Sequence, residues 1–95
     1  MSKYIKVNWK QNSPEYPIII YSEIDDNSYE TCKLEIFSNG DVGYADSKTD
    51  INAKTVLGDQ PVPDFEEIKK NPEFELSEIT KEDFEKVLEG KHENR

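Results

Sequence analysis

The 95-residue chain reads as an α+β domain in which an antiparallel sheet is built first and helices are added last. Three observations predict this. Apolar and polar residues alternate in short runs through the first half of the chain. The stretch Tyr29 to Asp46, YETCKLEIFSNGDVGYAD, sets two such runs around Asn39-Gly40, a strong hairpin signal. Helical spacing with capping residues occurs only after Pro63. The expected architecture is a four-stranded meander, five-stranded if Thr55-Val56-Leu57 adds a strand, packed on one face by one short and one longer C-terminal helix.

The first strand is expected over Tyr4–Trp9, with Ile5, Val7 and Trp9 on one face and Tyr4, Lys6 and Asn8 on the other. Lys10 to Pro17 is polar, carries two prolines and reads as a loop. The second strand is expected over Pro17–Ile24, where β-branched residues are dense. Asp25-Asp26-Asn27-Ser28 is a turn by composition.

A two-residue type I′ loop at Asn39-Gly40 would set Phe37 against Val42, Ile36 against Gly43 and Leu34 against Ala45. In that register Cys32, Leu34, Ile36, Gly43 and Ala45 form the core face under the helices. Lys33, Glu35, Phe37, Val42 and Tyr44 form the reverse face, either solvated or available to a partner. Replacing Tyr44 with Ser is then expected to leave folding nearly intact.

Pro61-Val62-Pro63 enforces extended backbone before a short helix. That helix is expected to be capped by Asp64 with Glu67, to carry the apolar pair Phe65 and Ile68, and to end at Asn71-Pro72. The last helix has Thr80 as N-cap, Asp83 at its third position, and Ile79 able to staple onto Phe84. Phe84, Val87 and Leu88 keep helical spacing, and Gly90 stands where a C-terminal left-handed residue is expected. Residues 1–90 then form one domain and residues 91–95 a polar tail.

Charge bounds the function. The chain has 21 acids against 12 basic residues, a net charge of −9. The excess is not confined to a tail: residues 1–60 hold ten acids and six lysines, and residues 61–95 hold eleven acids and six basic residues. Clustered Lys and Arg, needed to neutralise a phosphate backbone, are missing, so nucleic acid is not an expected partner. The longest apolar run, Ile18-Ile19-Ile20-Tyr21, is too short to span a bilayer, and the start of the chain lacks a signal-peptide pattern. A cytoplasmic location without membrane contact is the expectation. An acidic surface speeds encounter with basic proteins.

No reaction is legible in the motifs. The one histidine, His92, falls beyond the expected helix end and makes a poor general base. Cys32 sits in the middle of a strand on the apolar face and reads as a core thiol. One Cys and one His do not supply a zinc ligand set. Asp25-Asp26-Asn27 lacks the alternating acids, central Gly and distal Glu of a calcium loop, so a turn is preferred. The four glycines do not form a phosphate cradle. No catalytic, cofactor or metal residue is therefore expected. A hydrolase using the carboxylates Asp25, Asp26 and Asp46 stands as a lesser alternative.

Several segments come in a recognisable order: Tyr4-Ile5-Lys6-Val7-Asn8-Trp9, Tyr21-Ser22-Glu23-Ile24-Asp25, the Asn39-Gly40 hairpin into Gly43-Tyr44-Ala45-Asp46, Pro61-Val62-Pro63, Asn71-Pro72-Glu73-Phe74 and Ile79-Thr80. Together they resemble a family of small, uncharacterised bacterial proteins of about this length. Its members look like the acidic immunity proteins that accompany bacterial toxins. The resemblance implies no enzymatic activity and transfers no functional residue. Together with the net charge of −9, the missing catalytic set and the tyrosines of the sheet, the resemblance points to an interaction module, an immunity protein that neutralises a cognate toxin by occluding a basic active-site cleft. The residues expected to meet such a partner are Glu23, Asp25, Asp26, Glu35, Phe37, Tyr44 and Asp46. The alternative is an accessory subunit with a structural role, monomeric or weakly homodimeric through an exposed sheet edge.

Overall fold

The structure is a computed structural model that describes residues 2–46, 50, 51, 57 and 60–93. Its strands are β1 (Lys3–Trp9), β2 (Ile19–Ile24), β3 (Glu30–Ile36), β4 (Val42–Asp46), β5 (Asp50–Ile51) and β6 (Phe74–Ile79). Its helices are α1 (Phe65–Lys69), between β5 and β6, and α2 (Lys81–Glu93) after β6. Every pairing is antiparallel, and the sheet order is β5-β4-β3-β2-β1-β6. The α+β class, the meander over β1 to β4, and the short and longer helices agree with the sequence.

Two features of the sheet extend the expected one. β6 pairs with β1, so the chain returns from the far side of the meander to its first strand. Its sequence, FELSEI, alternates Phe74, Leu76 and Glu78 with Glu75, Ser77 and Ile79, a weak period-2 signal diluted by two glutamates on opposite faces. β5 is a two-residue strand at Asp50–Ile51. Of the strand expected at Thr55–Leu57, Thr55 and Val56 lie outside the described residues, and Leu57 is not in a strand.

The helices cover opposite faces of the sheet rather than one. Ile5, Val7, Ile24 and Leu76 are buried together, with Ile20, Val62, Phe65, Ile68 and Phe74 packed against them. These strand residues share one pleat face, and Phe65 and Ile68 bring α1 onto it. The neighbouring residue Tyr4 points the other way, and its ring meets Phe84 of α2 at 5.3 Å between centroids. Helix period and strand period each define an apolar side, but neither says which face of the sheet it meets.

The helix ends differ from expectation in instructive ways. At α2 the reciprocal capping box forms: the Asp83 amide donates to Thr80 Oγ1 at 3.0 Å, and the Thr80 amide donates to the Asp83 carboxylate at 3.4 Å. At α1 the Asp64 side chain makes no cap bond; its main-chain carbonyl accepts from Glu67 and Ile68 instead. Gly90 does not stop α2. Its φ is not positive, and the helix runs on to Glu93, so His92 and the start of the expected tail are helical. Glycine permits a left-handed stop without imposing one.

The β3–β4 loop is three residues long, not two. The Gly40 amide donates to the Phe37 carbonyl at 2.9 Å, the Phe37 amide donates to the Asp41 carbonyl at 2.9 Å, and only Gly40 takes a positive φ, +93°. This is a type I turn followed by a left-handed residue, the usual three-residue hairpin. Because Asn39 stays right-handed, the register moves by one residue: Ile36 faces Val42, Leu34 faces Tyr44, and Cys32 faces Asp46. A one-residue slip exchanges the two faces of a strand. Tyr44 therefore lies beside Leu34 and Cys32, while Gly43 and Ala45 lie on the α1 face with Glu35 and Lys33. Both expected faces of β4 are corrected by that shift.

Candidate functional site

The described surface carries a cleft of about 350 Å³ at one end of the sheet. Three separate stretches converge there: the start of β1, the β2–β3 turn, and the segment from Val62 into α1. Glu78, near the end of β6, completes the lining. Ligand and partner pockets tend to combine an apolar floor with a few polar groups, and this cleft fits that description.

Local chemistry builds each wall. In the β2–β3 turn the Asp25 carboxylate accepts the amides of Asn27 at 2.9 Å and Tyr29 at 3.0 Å. Its carbonyl accepts the Ser28 amide at 3.0 Å, and Ser28 takes a left-handed φ of +71°. That conformation aims the Ser28 carbonyl at the Val62 amide, 2.6 Å away. Pro61 and Pro63 flank Val62 and hold the chain extended, so this one bond docks the whole segment against the turn. Val62 and Phe65 then close over Ile24, forming the apolar floor.

The rim is acidic. Asp25, Asp26, Asp64, Glu66 and Glu78 line the cleft against a single cation, Lys3. The Lys3 ammonium lies 5.3 Å from the centroid of the Phe65 ring, a cation–π distance. The chain thus already seats one cation of its own on the aromatic floor. Among the described residues no group of three or more His, Cys, Asp or Glu is placed to hold a metal ion.

The residues expected to touch a partner are dispersed. Asp25 and Asp26 line the cleft. Glu23 lies on the α2 face, accepting the Tyr4 hydroxyl at 2.9 Å and the Thr31 hydroxyl at 2.8 Å. Tyr44 and Asp46 share that face: the Cys32 thiol donates to Tyr44 Oη at 3.4 Å, and Tyr44 donates to Asp46 Oδ2 at 2.8 Å. Burial first, then the bonds to Cys32 and Asp46, push the Tyr44 hydroxyl well above the ordinary tyrosine value. Glu35 is half-buried on the α1 face, opposite Gly43. Phe37 is 3% exposed and offers a partner almost no surface, a correction to its expected place.

Residues 3–93 match the model of a family described as a domain of unknown function, DUF6881. The chain belongs to that family. The match covers every element of the DUF6881 fold described above. No curated protein and no solved structure matches the chain.

Sequence reasoning missed five cleft residues with side chains suited to binding: Lys3, Asp64, Phe65, Glu66 and Glu78. Phe65 was legible as apolar, and the acids were legible as charge. Their convergence was not, because it depends on the long-range bond between Val62 and Ser28.

Proposed function

We propose that the chain is a protein-interaction module that receives a basic segment of another protein in the acidic cleft, without catalysis of its own. The observation that carries this reading is the cleft itself. Five carboxylates surround an apolar, aromatic floor in a molecule of net charge −9, against one internal lysine. A Lys or Arg side chain entering there meets carboxylates at its charged end and Phe65 along its stem. Complementary charge favours fast encounter and discriminates against acidic partners.

The narrower form of the proposal rests on the resemblance described from the sequence. In it, the chain is a cytoplasmic immunity protein of a bacterium, and the basic segment belongs to the active-site cleft of its cognate toxin. Steric occlusion is the mechanism.

Affinity capture from the native host at low salt tests the proposal, with the Asp64→Asn, Glu66→Gln, Glu78→Gln triple variant as comparison. A basic protein retained by the native chain, released by salt and lost from the variant is the expected result. Equal capture by both proteins would remove the cleft from the interface, and failure to capture any basic protein would count against the module itself.

A further inference from the structure

We propose that the partner segment binds as an added strand on the outer edge of β6. This rests on the cleft being the seat of a basic segment, and it adds the geometry and residue pattern of that segment. β6 ends the sheet, and among the described residues no strand pairs with its outer side. The Phe74 amide donates to the Asn71 carbonyl at 3.0 Å, and beyond it the outer edge presents main-chain donors and acceptors, the template for strand addition.

The two ends of that row differ chemically. On the α1 face β6 carries Phe74, Leu76 and Glu78 in succession, as its pairing with Trp9, Val7 and Ile5 shows. At the Phe74 end an aromatic cluster gathers: Trp9 lies 5.6 Å from Phe74 and 5.3 Å from Tyr16, ring centre to ring centre. Tyr16 is 51% exposed, and such aromatic groups anchor interfaces. At the other end Glu78 faces the cleft and forms no ion pair among the described residues. An added strand therefore meets an aromatic cluster at one end and carboxylates at the other. Antiparallel addition requires a Lys or Arg opposite Glu78 and, four residues later, an apolar side chain opposite Phe74.

A second copy of the chain is a poor occupant. The register that pairs all six residues of β6 with a second β6 sets Glu75 opposite Glu78 twice, and each copy carries a net charge of −9. Like charges directly opposite destabilise a sheet pair.

The probe is a fluorescein-labelled peptide, Thr-Lys-Thr-Val-Thr-Phe-Thr, titrated with the full chain and followed by anisotropy. Saturable binding below about 1 mM is expected. Binding should weaken by about tenfold or more when Lys is changed to Glu, and by at least as much when one alternate set of peptide amides is N-methylated. Glu78→Lys, an exposed substitution whose folding is checked by thermal melting, should reverse the preference toward the Glu peptide. Binding that ignores both alternate N-methylated sets but falls in the Asp64→Asn, Glu66→Gln variant overturns strand addition and leaves the cleft reading intact. Absence of binding by every Lys peptide overturns both.

Discussion

The β2–β3 and β3–β4 hairpins close in the same way, yet only one helps to build the site. Both are type I turns followed by a left-handed residue: Asp25 to Ser28 closed by Tyr29, and Phe37 to Gly40 closed by Asp41. Each has an asparagine just before the left-handed position. In the β3–β4 loop that position is Gly40, which takes positive φ without steric cost, and Asn39 Oδ1 accepts one amide, from Asp41 at 2.9 Å. In the β2–β3 loop a serine bears the left-handed conformation, and Asp25 Oδ1 compensates by accepting two amides. The Ser28 carbonyl is then tied to Val62, so the turn becomes a cleft wall. The difference teaches that a turn joined to a distant segment can hold a serine in the left-handed conformation that the other loop gives to glycine.

The largest break in this comparison is expected from Asp25→Ala. It removes two amide partners together and loosens the turn that docks Val62; a loss of about 2 kcal/mol in denaturant unfolding is expected. Asn39→Ala, which removes one such bond, should cost about half as much. Next comes Gly40→Ala. A Cβ there meets nothing within 4 Å, so the cost is purely the left-handed backbone, about 1 kcal/mol or somewhat more. A neutral result would show that the loop relaxes to another turn. Ser28→Gly should run the other way, with a gain of about 0.5 kcal/mol as strain is relieved. A loss instead would assign the serine side chain a role in the cleft.

The smallest effect tests the register that the three-residue loop imposes. The Tyr44 hydroxyl titrates above its ordinary value of 10.0 in the folded chain, mainly through burial. Below pH 10 the hydroxyl is neutral in both states and adds no pH dependence. Above it the unfolded chain ionises first, so stability falls as pH rises. Tyr44→Phe should flatten that alkaline decline in urea midpoints measured from pH 9 to 11. An unchanged slope would put Tyr44 back on the exposed face that a two-residue loop predicts. The same register predicts that Tyr44→Ser destabilises the domain, the reverse of the expectation drawn from the sequence.

Most of the strands were legible because their signals are local. Ile5, Val7 and Trp9 alternate cleanly, and Asn39-Gly40 marks its hairpin whatever lies around it. The Thr80–Asp83 capping box was equally plain, since both partners lie within one turn. β6 was harder to read, since the two glutamates of FELSEI fall on opposite faces and mask the alternation, and its pairing with β1 spans most of the chain. The candidate site was legible only in part: Asp25 and Asp26 were singled out, while Phe65 and Glu78 were known only as an apolar and an acidic residue.

The amino-acid sequence by itself determined the α+β class, the order of the meander and the pervasive acidity. These follow from residue type and short-range spacing. Tertiary structure alone decided which faces of the sheet the two helices cover, the one-residue shift that carries Tyr44 to the Leu34 face, and the meeting of Lys3, Phe65 and Glu78 at one cleft. Each of these depends on contacts between residues far apart in the chain, or on one backbone dihedral at Asn39 that both loop types permit. Periodicity fixes an element's apolar side without naming its neighbour, and the acidic cleft is made entirely of neighbours.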